Sequence, residues 1–294
     1  MAYAPSQCPH PDCFFYQKSG GRFIKKSFFK IQRTNQKVRR YQCKHCGKTF
    51  SSRTFKADYN HKKMDLNSLL LKLLTEGQSL RAAARTIGMT YKNTYKKFLW
   101  LTRQAQEQLK VQSYNCQVLQ FDEMETIEHS KCKPLSIAIF VNENYQILSL
   151  KVALMPAKGR LAEISRLKYG RRVDERETVL EKSFQDLQNQ LNHPPEKIMS
   201  DARSSYGKFV RKYFPKSDYE VHSRADKERH RDRLHERMHK KVFDPLFALN
   251  QRCALLRSHI KRLTRRSWCT TKKKENLQGH LDLFVASQFG LALK

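Results

Sequence analysis

The sequence has no long hydrophobic run and few acidic residues for its length. The longest of its purely apolar stretches, such as residues 137–141, fall far short of the roughly 20 residues that a membrane-spanning helix needs. It also has no basic segment followed by an apolar segment near residue 1, so we expect no secretory signal. These absences predict a soluble, intracellular, cytoplasmic protein with no membrane partner.

The charge is strongly positive and unevenly distributed. The 294 residues carry 58 Lys and Arg against 27 Asp and Glu, a formal net charge of +31. Residues 1–64 hold 15 basic and 2 acidic side chains, and residues 203–274 hold 22 and 7, whereas residues 111–202 hold 12 and 13. Two basic flanks predict a nucleic-acid partner and association with the nucleoid. The near-neutral, carboxylate-rich middle is the part that we expect to carry chemistry.

Four of the eight cysteines lie in two short-spaced pairs, Cys8 with Cys13 and Cys43 with Cys46. Two such pairs can supply four thiolates to one tetrahedral zinc ion. Residues 22–30 and 37–42 between the pairs have the Phe, Ile and Val content of short strands, and so small a segment needs a metal to hold its core. We therefore predict a zinc ribbon over residues 1–60 with structural Zn²⁺, and His10 and His45 are alternative ligands.

A helical periodicity of 3.6 follows the ribbon. It predicts a first helix with the leucines of residues 66–74, a second helix from Ser79, a third from Thr90 and a tail helix over residues 101–109. Small alanines, a glycine turn and a basic third helix are typical of a helix-turn-helix DNA-binding domain, here residues 61–112. The third helix would offer to a major groove the side chains of Tyr91, Lys92, Asn93, Lys96 and Lys97. A helical bundle or a dimerisation element fits the same pattern.

The remaining residues alternate between strand and helix patterns. The predicted elements are three strands (117–128, 134–141, 145–154), a helix (173–191), a strand (197–200), a helix (206–214), a strand (219–222) and a helix (245–263). This is the element order of the RNase H-like fold, an α/β architecture with a mixed five-stranded sheet flanked by helices. We assign it to residues 113–294, with a charged insertion around residues 224–243.

That fold places the centre of its first strand beside the end of its fourth, which makes Asp122 and Asp201 neighbours. Two facing carboxylates repel each other, and divalent cations relieve this repulsion while they assemble a centre that cuts phosphodiesters. Hard oxygen ligands select Mg²⁺ or Mn²⁺. The order of elements therefore predicts a catalytic site with two such ions.

The chain resembles the insertion-element transposases of the RNase H-like, acid-triad class, closest to the IS-one type. The segments that carry the resemblance are FDEM at 121–124, SDARSSYGKF at 200–209 and LNQRCALLRSHIKRLTRRSWCTTKK at 249–273. The resemblance implies that Asp122 and Asp201 are the first two catalytic residues. It places the third on the last helix at Asn250, where a Glu is expected, and some subgroups tolerate Asn there.

Several interpretations of the last third of the chain stay open. Glu228 and Glu236 are competing third acids, and Arg257 and Lys261 would follow Asn250 on one helix face as phosphate contacts. Residues 235–239 match the HExxH pattern of zinc proteases, but their surroundings are almost entirely charged and lack the apolar face that this motif needs.

Together these observations predict a Mg²⁺-dependent DNA transposase. It would bind the terminal inverted repeats of an element, cleave the 3′ strand at each end and transfer that strand into target DNA, acting as a dimer or larger synaptic complex. The alternatives are a catalytically inactive, transposase-derived DNA-binding regulator and a structure-selective nuclease.

Overall fold

The computed structural model of the chain describes residues 4–32, 35–56, 59, 62–222, 244–264 and 269–290. The chain divides into two compact units, Met1–Asp65 with Ala292–Lys294, and Leu66–Leu291. The three helices assigned to residues 61–112 belong to the same unit as the large sheet, so a separate helix-turn-helix domain stays a prediction. Within the described ranges, no helix is both long enough and apolar enough to cross a bilayer.

The first unit is a small antiparallel sheet. Its strands are β1 (Phe23–Lys30), β2 (Lys37–Cys43) and β3 (Thr49–Ser51), in the order β1-β2-β3, followed by a single 3₁₀ turn. Among its described residues, the buried hydrophobic cluster consists of Tyr41, Phe50 and three of the paired cysteines. A core of this size supplies little hydrophobic stabilisation, which agrees with the predicted need for a metal.

Three helices open the second unit: α1 (Leu66–Thr75), α2 (Leu80–Thr86) and α3 (Tyr91–Lys110). The predicted caps are present, because Ser79 Oγ accepts from Ala82 N and Thr90 Oγ1 accepts from Asn93 N. The predicted third helix and tail helix are one continuous helix of 20 residues. No glycine or proline interrupts residues 91–110, so nothing in the sequence ends a helix there.

A mixed five-stranded sheet follows. It contains β4 (Val118–Glu128), β5 (Ser130–Asn142), β6 (Ile147–Leu154), β7 (Lys197–Asp201) and β8 (Asp218–His222). The strand order is β6-β5-β4-β7-β8, with β4, β5 and β6 antiparallel and with β7 and β8 parallel to β4. The predicted five-stranded mixed sheet is therefore confirmed.

Helices cover both faces of this sheet. They are α4 (Leu161–Tyr169), α5 (Arg176–Gln190), α6 (Tyr206–Tyr213), α7 (Phe247–His259) and α8 (Lys274–Gln288). One core packs α5 and α6 against Phe121 and Ile198, and the other packs α7 and α8 against Met124 and Met199. Side chains that alternate along β4 and β7 thus enter different cores.

Helix α8 was not predicted from the sequence, and it anchors α3. Nine of its 15 residues are buried, so it lacks the one-sided apolar pattern on which helix prediction depends. A Cβ at Gly279 would lie 2.9 Å from Thr102 Oγ1, which shows how closely the two helices approach. Tyr95 Oη donates to Asn276 Oδ1 at 3.0 Å, and Gln106 Nε2 donates to Asp282 Oδ2 at 2.7 Å.

Candidate functional site

Asp122 and Asp201 lie side by side on neighbouring parallel strands. The register of β4 and β7 pairs Phe121 with Ser200, and each aspartate is the next residue on its strand. Met124 and Met199, two residues away on each strand, both enter the core beneath α7 and α8. Since side chains alternate along a strand, both aspartates face α7 from the same side of the sheet.

A buried tyrosine interacts electrostatically with both carboxylates. Tyr206 at the start of α6 is 1% exposed, and its hydroxyl donates to Asp122 Oδ1 at 3.3 Å. Burial, together with the negative charges of Asp122 and Asp201, strongly raises the pKa of Tyr206. The phenol is therefore neutral and remains a hydrogen-bond donor at physiological pH. Each carboxylate also accepts a hydrogen bond from a backbone N–H: Glu123 N lies 2.6 Å from Asp122 Oδ1, and Arg203 N lies 3.3 Å from Asp201 Oδ1.

Glu123 is an acid of this site that we did not single out from the sequence. Its side chain is buried and forms an ion pair with Arg203. It follows Asp122 on β4, so it points to the opposite face of the sheet, toward α6. Among the described residues, Glu123 belongs to no group of three or more potential metal ligands, although it is the acid nearest in sequence to Asp122.

Helix α7 packs on the face of the sheet that carries the two aspartates. Gln120, on the same face of β4 as Asp122, accepts from Leu249 N at 3.0 Å and donates to Pro245 O at 3.2 Å. Further along the helix, burial and then the negative charge of Asp122 help to raise the pKa of Cys253 to about 11, while Arg257 opposes them. The helix therefore runs past Gln120 and then Asp122.

Asn250 lies on the exposed part of α7, one turn before Cys253. Its Nδ2 donates to Asp244 Oδ2 at 2.7 Å, and Asp244 also accepts from Leu246 N at 3.0 Å. The bond to Asp244 fixes the orientation of the amide and directs its oxygen away from that carboxylate. The assignment of Asn250 as a third ligand stays a prediction.

No three-acid cluster occurs among the described residues, where the only group of three or more potential metal-ligating side chains is formed by the four cysteines. The described residues do not include the competing third acids Glu228 and Glu236, the HExxH match at 235–239 or the charged insertion around 224–243.

The predicted phosphate contacts on α7 need one correction. Arg257 lies on the helix two turns after Asn250, as expected. Lys261 does not continue the same helix face, because α7 ends at His259 and Ile260 has an extended backbone. Burial of Ile260 and Leu263 in the core explains this end, since it redirects the chain into a short 3₁₀ turn that carries an exposed Lys261.

The four cysteines of the first unit form a compact, mostly buried cluster. Their sulfur atoms all lie within 4.8 Å of one another, with 3.7 Å between those of Cys8 and Cys46 and 3.8 Å between those of Cys13 and Cys43. A zinc tetrahedron with Zn–S bonds of about 2.3 Å has S···S edges of about 3.8 Å. The positions therefore fit one zinc ion, and Gly47 has the positive φ of 71° that suits the turn after the second pair.

The four thiols differ in how readily they lose a proton. Burial raises the pKa of Cys8 to about 12 and raises that of Cys13. Burial acts in the same direction on Cys43, but backbone donors from Cys46 and His45 outweigh it and lower the pKa. Thiolates at Cys8 and Cys13 therefore need a nearby positive charge, which zinc supplies. The alternative ligand His45 has its Nδ1 3.7 Å from Cys13 Sγ, beside a set of four thiols that is already complete.

Comparisons with known proteins identify no family for the chain. No protein-family profile and no curated protein matches it. Among solved structures, it is similar to a chain in the structure of the simian T-cell lymphotropic virus intasome in complex with PP2A regulatory subunit B56 gamma. The sequence identity is 13%, the match covers 73% of this chain and 72% of that chain, and the TM-score is 0.24. A likeness at this TM-score carries no argument about function.

The predicted groove-facing residues of α3 fall into two groups. Four of them are exposed on the first two turns, namely Tyr91, Lys92, Asn93 and Lys96. The fifth, Lys97, is only 6% exposed, and its ammonium donates to Asn67 Oδ1 of α1 at 2.5 Å. Because Lys97 shares a helix stripe with the buried Thr94 and Leu101, it packs toward α1 and is not presented to solvent.

Proposed function

We propose that the chain is a metal-dependent DNA transposase with an RNase H-like catalytic domain. The observation that carries the proposal is the position of Asp122 and Asp201, adjacent on parallel strands and facing α7 from one side of the sheet. The strand order β6-β5-β4-β7-β8 supports it, because this is the arrangement expected of that fold. The net charge of +31 supports a nucleic-acid substrate.

The residues present fit a hard divalent cation. Asp122 and Asp201 offer carboxylate oxygens, and Asn250 offers an amide oxygen, which are ligand types that Mg²⁺ and Mn²⁺ accept. Two such ions, when bound, activate the attacking oxygen and stabilise the departing one. A neutral amide in the third position would bind more weakly than a carboxylate, so we expect a higher metal requirement than a three-acid site would have.

The proposed reaction consists of two in-line displacements at phosphorus. In the first, water attacks a phosphodiester at the element end, and the departing oxygen becomes a free 3′-OH. In the second, that 3′-OH attacks a target phosphodiester, forms a new P–O bond and releases a target 3′-OH. Arg257 and Lys261 would contact the phosphates, while Tyr206 holds Asp122 through its hydrogen bond.

Recognition of the element ends is assigned to the other parts of the chain. The terminal inverted repeats of double-stranded DNA would be bound by two parts of the chain. These are the four-cysteine ribbon and the exposed start of α3, which carries Tyr91, Lys92, Asn93 and Lys96. Two ends must be cut and joined together, so a dimer or larger synaptic complex is expected. Cytoplasmic activity on the nucleoid follows from this role.

Strand cleavage tests the proposal. The full chain, supplied with Mg²⁺ and DNA that carries the flanking repeats of its own locus, should nick the 3′ strand at the repeat boundary. Asp122→Asn and Asp201→Asn should each abolish nicking and retain DNA binding, because they keep the side-chain size. Nicking that persists in either variant at the wild-type rate would exclude this mechanism.

A non-catalytic DNA-binding regulator is the second candidate. The observation in its favour is Asn250 together with the lack of a three-acid cluster among the described residues. This candidate predicts that the wild-type chain binds repeat DNA without nicking it, and that Asn250→Glu does not create nicking. Restoration of nicking by Asn250→Glu would favour a weakened transposase instead.

A further inference from the structure

Glu123 is a buried acid beside the candidate site, and the proposed reaction gives it no role. Its side chain is only 7% exposed and lies on the face of β4 opposite to Asp122. Burial of an ionised carboxylate is costly unless positive charge and hydrogen bonds compensate it. The groups that compensate Glu123 therefore show what this buried charge holds in place.

Three elements converge on this carboxylate. Ser136 on β5 donates its Oγ proton to Glu123 Oε1 at 2.9 Å. Arg203, from the loop between β7 and α6, forms the ion pair with Glu123 Oε2. The hydroxyl of Tyr206 lies 3.4 Å from the same Oε2. The carboxylate is thus fully engaged by residues from a strand, a loop and a helix.

Arg203 joins the two candidate metal ligands. Its guanidinium holds Glu123, whose neighbour on β4 is Asp122, and its backbone N–H donates to Asp201 Oδ1 at 3.3 Å. The guanidinium also lies 5.4 Å from the centroid of the Tyr206 ring. A single residue therefore connects the end of β7, which carries Asp201, to β4, which carries Asp122.

Tyr206 completes the connection. It has one hydroxyl proton and two acceptors within reach, Asp122 Oδ1 at 3.3 Å and Glu123 Oε2 at 3.4 Å. Because Ser136 and Arg203 already satisfy Glu123, the proton of Tyr206 is available to Asp122. Its burial also keeps solvent from competing for that bond.

We propose that Glu123, Arg203 and Tyr206 form a positioning clamp that holds the carboxylates of Asp122 and Asp201 at the separation a shared divalent cation requires. The clamp rests on the proposed function, since that function assigns the cation to the two aspartates. Its members act through the ligands and do not bind the cation. Loss of such supporting partners commonly weakens metal affinity about 10–100-fold.

Binding of Mn²⁺ to the full chain, measured by calorimetry without DNA and with the cysteine site loaded with Zn²⁺, tests the clamp. Glu123→Gln and Tyr206→Phe should each weaken Mn²⁺ binding by about 10–100-fold. Asp122→Asn is the reference that removes a ligand. Glu177→Gln is the matched control, because it breaks an exposed ion pair with Lys208 at 2.7 Å on neighbouring helices and should leave the affinity nearly unchanged.

A second measurement separates positioning from stability. Arg203→Met added to Glu123→Gln removes both members of the ion pair, so thermal stability should return toward that of the wild type while Mn²⁺ binding stays weak. Recovery of affinity together with stability would overturn the clamp. So would wild-type affinity in both Glu123→Gln and Tyr206→Phe when Asp122→Asn abolishes binding. If Asp122→Asn itself leaves Mn²⁺ affinity unchanged, the clamp and the proposed metal site both fail.

Discussion

A buried histidine in α8 predicts a specific loss of stability in mild acid. His280 is 7% exposed, its ring centroid lies 4.6 Å from that of Phe98, and its Nε2 has no hydrogen-bond partner in the described part of the chain. Burial, and secondly the positive charge of Arg262, lowers its pKa from 6.5 to about 3. A neutral imidazole is therefore part of the folded state.

The sign of the effect follows from the direction of this shift. Above the unfolded-state pKa of His280, the side chain is neutral in both states and contributes no pH dependence. Below that pKa, His280 binds a proton in the unfolded chain but not in the folded chain. The free energy of unfolding therefore decreases as the pH falls toward the folded-state pKa. Between about pH 7 and pH 5 the expected loss is about 2 kcal/mol.

The assay is urea unfolding, followed by tryptophan fluorescence, at the two pH values with constant salt and zinc. Wild type is compared with His280→Gln, which cannot titrate. The buried Asp282, whose pKa is raised by burial, acts in the opposite direction but is present in both proteins and cancels in the difference. The variant should lose about 2 kcal/mol less than the wild type over this pH interval. Equal losses in both proteins would refute the assignment of a neutral, buried His280.

Three further outcomes are expected. Cys43→Ser should reduce the zinc content from one ion per chain and make the first unit, but not the second, sensitive to limited proteolysis, as measured by atomic emission and peptide mapping. Lys97→Met should lower the free energy of unfolding by about 1.5–3 kcal/mol and leave the salt dependence of DNA binding unchanged, whereas Lys96→Met should reduce the slope of log binding constant against log salt by about 1. Gly279→Ala should destabilise the chain by about 1–3 kcal/mol in urea unfolding, because its new Cβ would lie 2.9 Å from Thr102 Oγ1.

Local patterns predicted the parts of the fold that depend on local chemistry. Three features are visible within a few residues of sequence. They are the two short-spaced cysteine pairs that begin at Cys8 and Cys43, the helix caps at Ser79 and Thr90, and the alternation of polar and apolar residues around Asp122. The neighbouring positions of Asp122 and Asp201 also followed, because the order of elements determines which strands are adjacent.

Features that depend on tertiary packing could not be predicted in this way. The partner of Glu123 is Arg203, about 80 residues away, and only the fold brings them together. Helix α8 is buried on most sides, so it has no polar face to reveal a helical period. The burial of Lys97, by contrast, could have been predicted from the sequence. Its neighbours on the same side of α3, Thr94, Phe98 and Leu101, are buried, and their helical spacing indicates a buried face.

The continuous α3 has a consequence for how a DNA end would be measured. A helix of 20 residues is about 30 Å long, and side chains near Tyr95, Thr102 and Gln106 attach it to α8. Helix α8 is bonded in turn to β6 through Gln278, which donates to Leu150 O and accepts from Val152 N, both at 2.8 Å. Under the proposed function, this connected framework would hold the bases contacted by Lys92 and Lys96 at a fixed distance from the phosphodiester cut at the Asp122 site. One base pair inserted between the recognised bases and the cleavage site should then move the cut by one nucleotide relative to the DNA sequence.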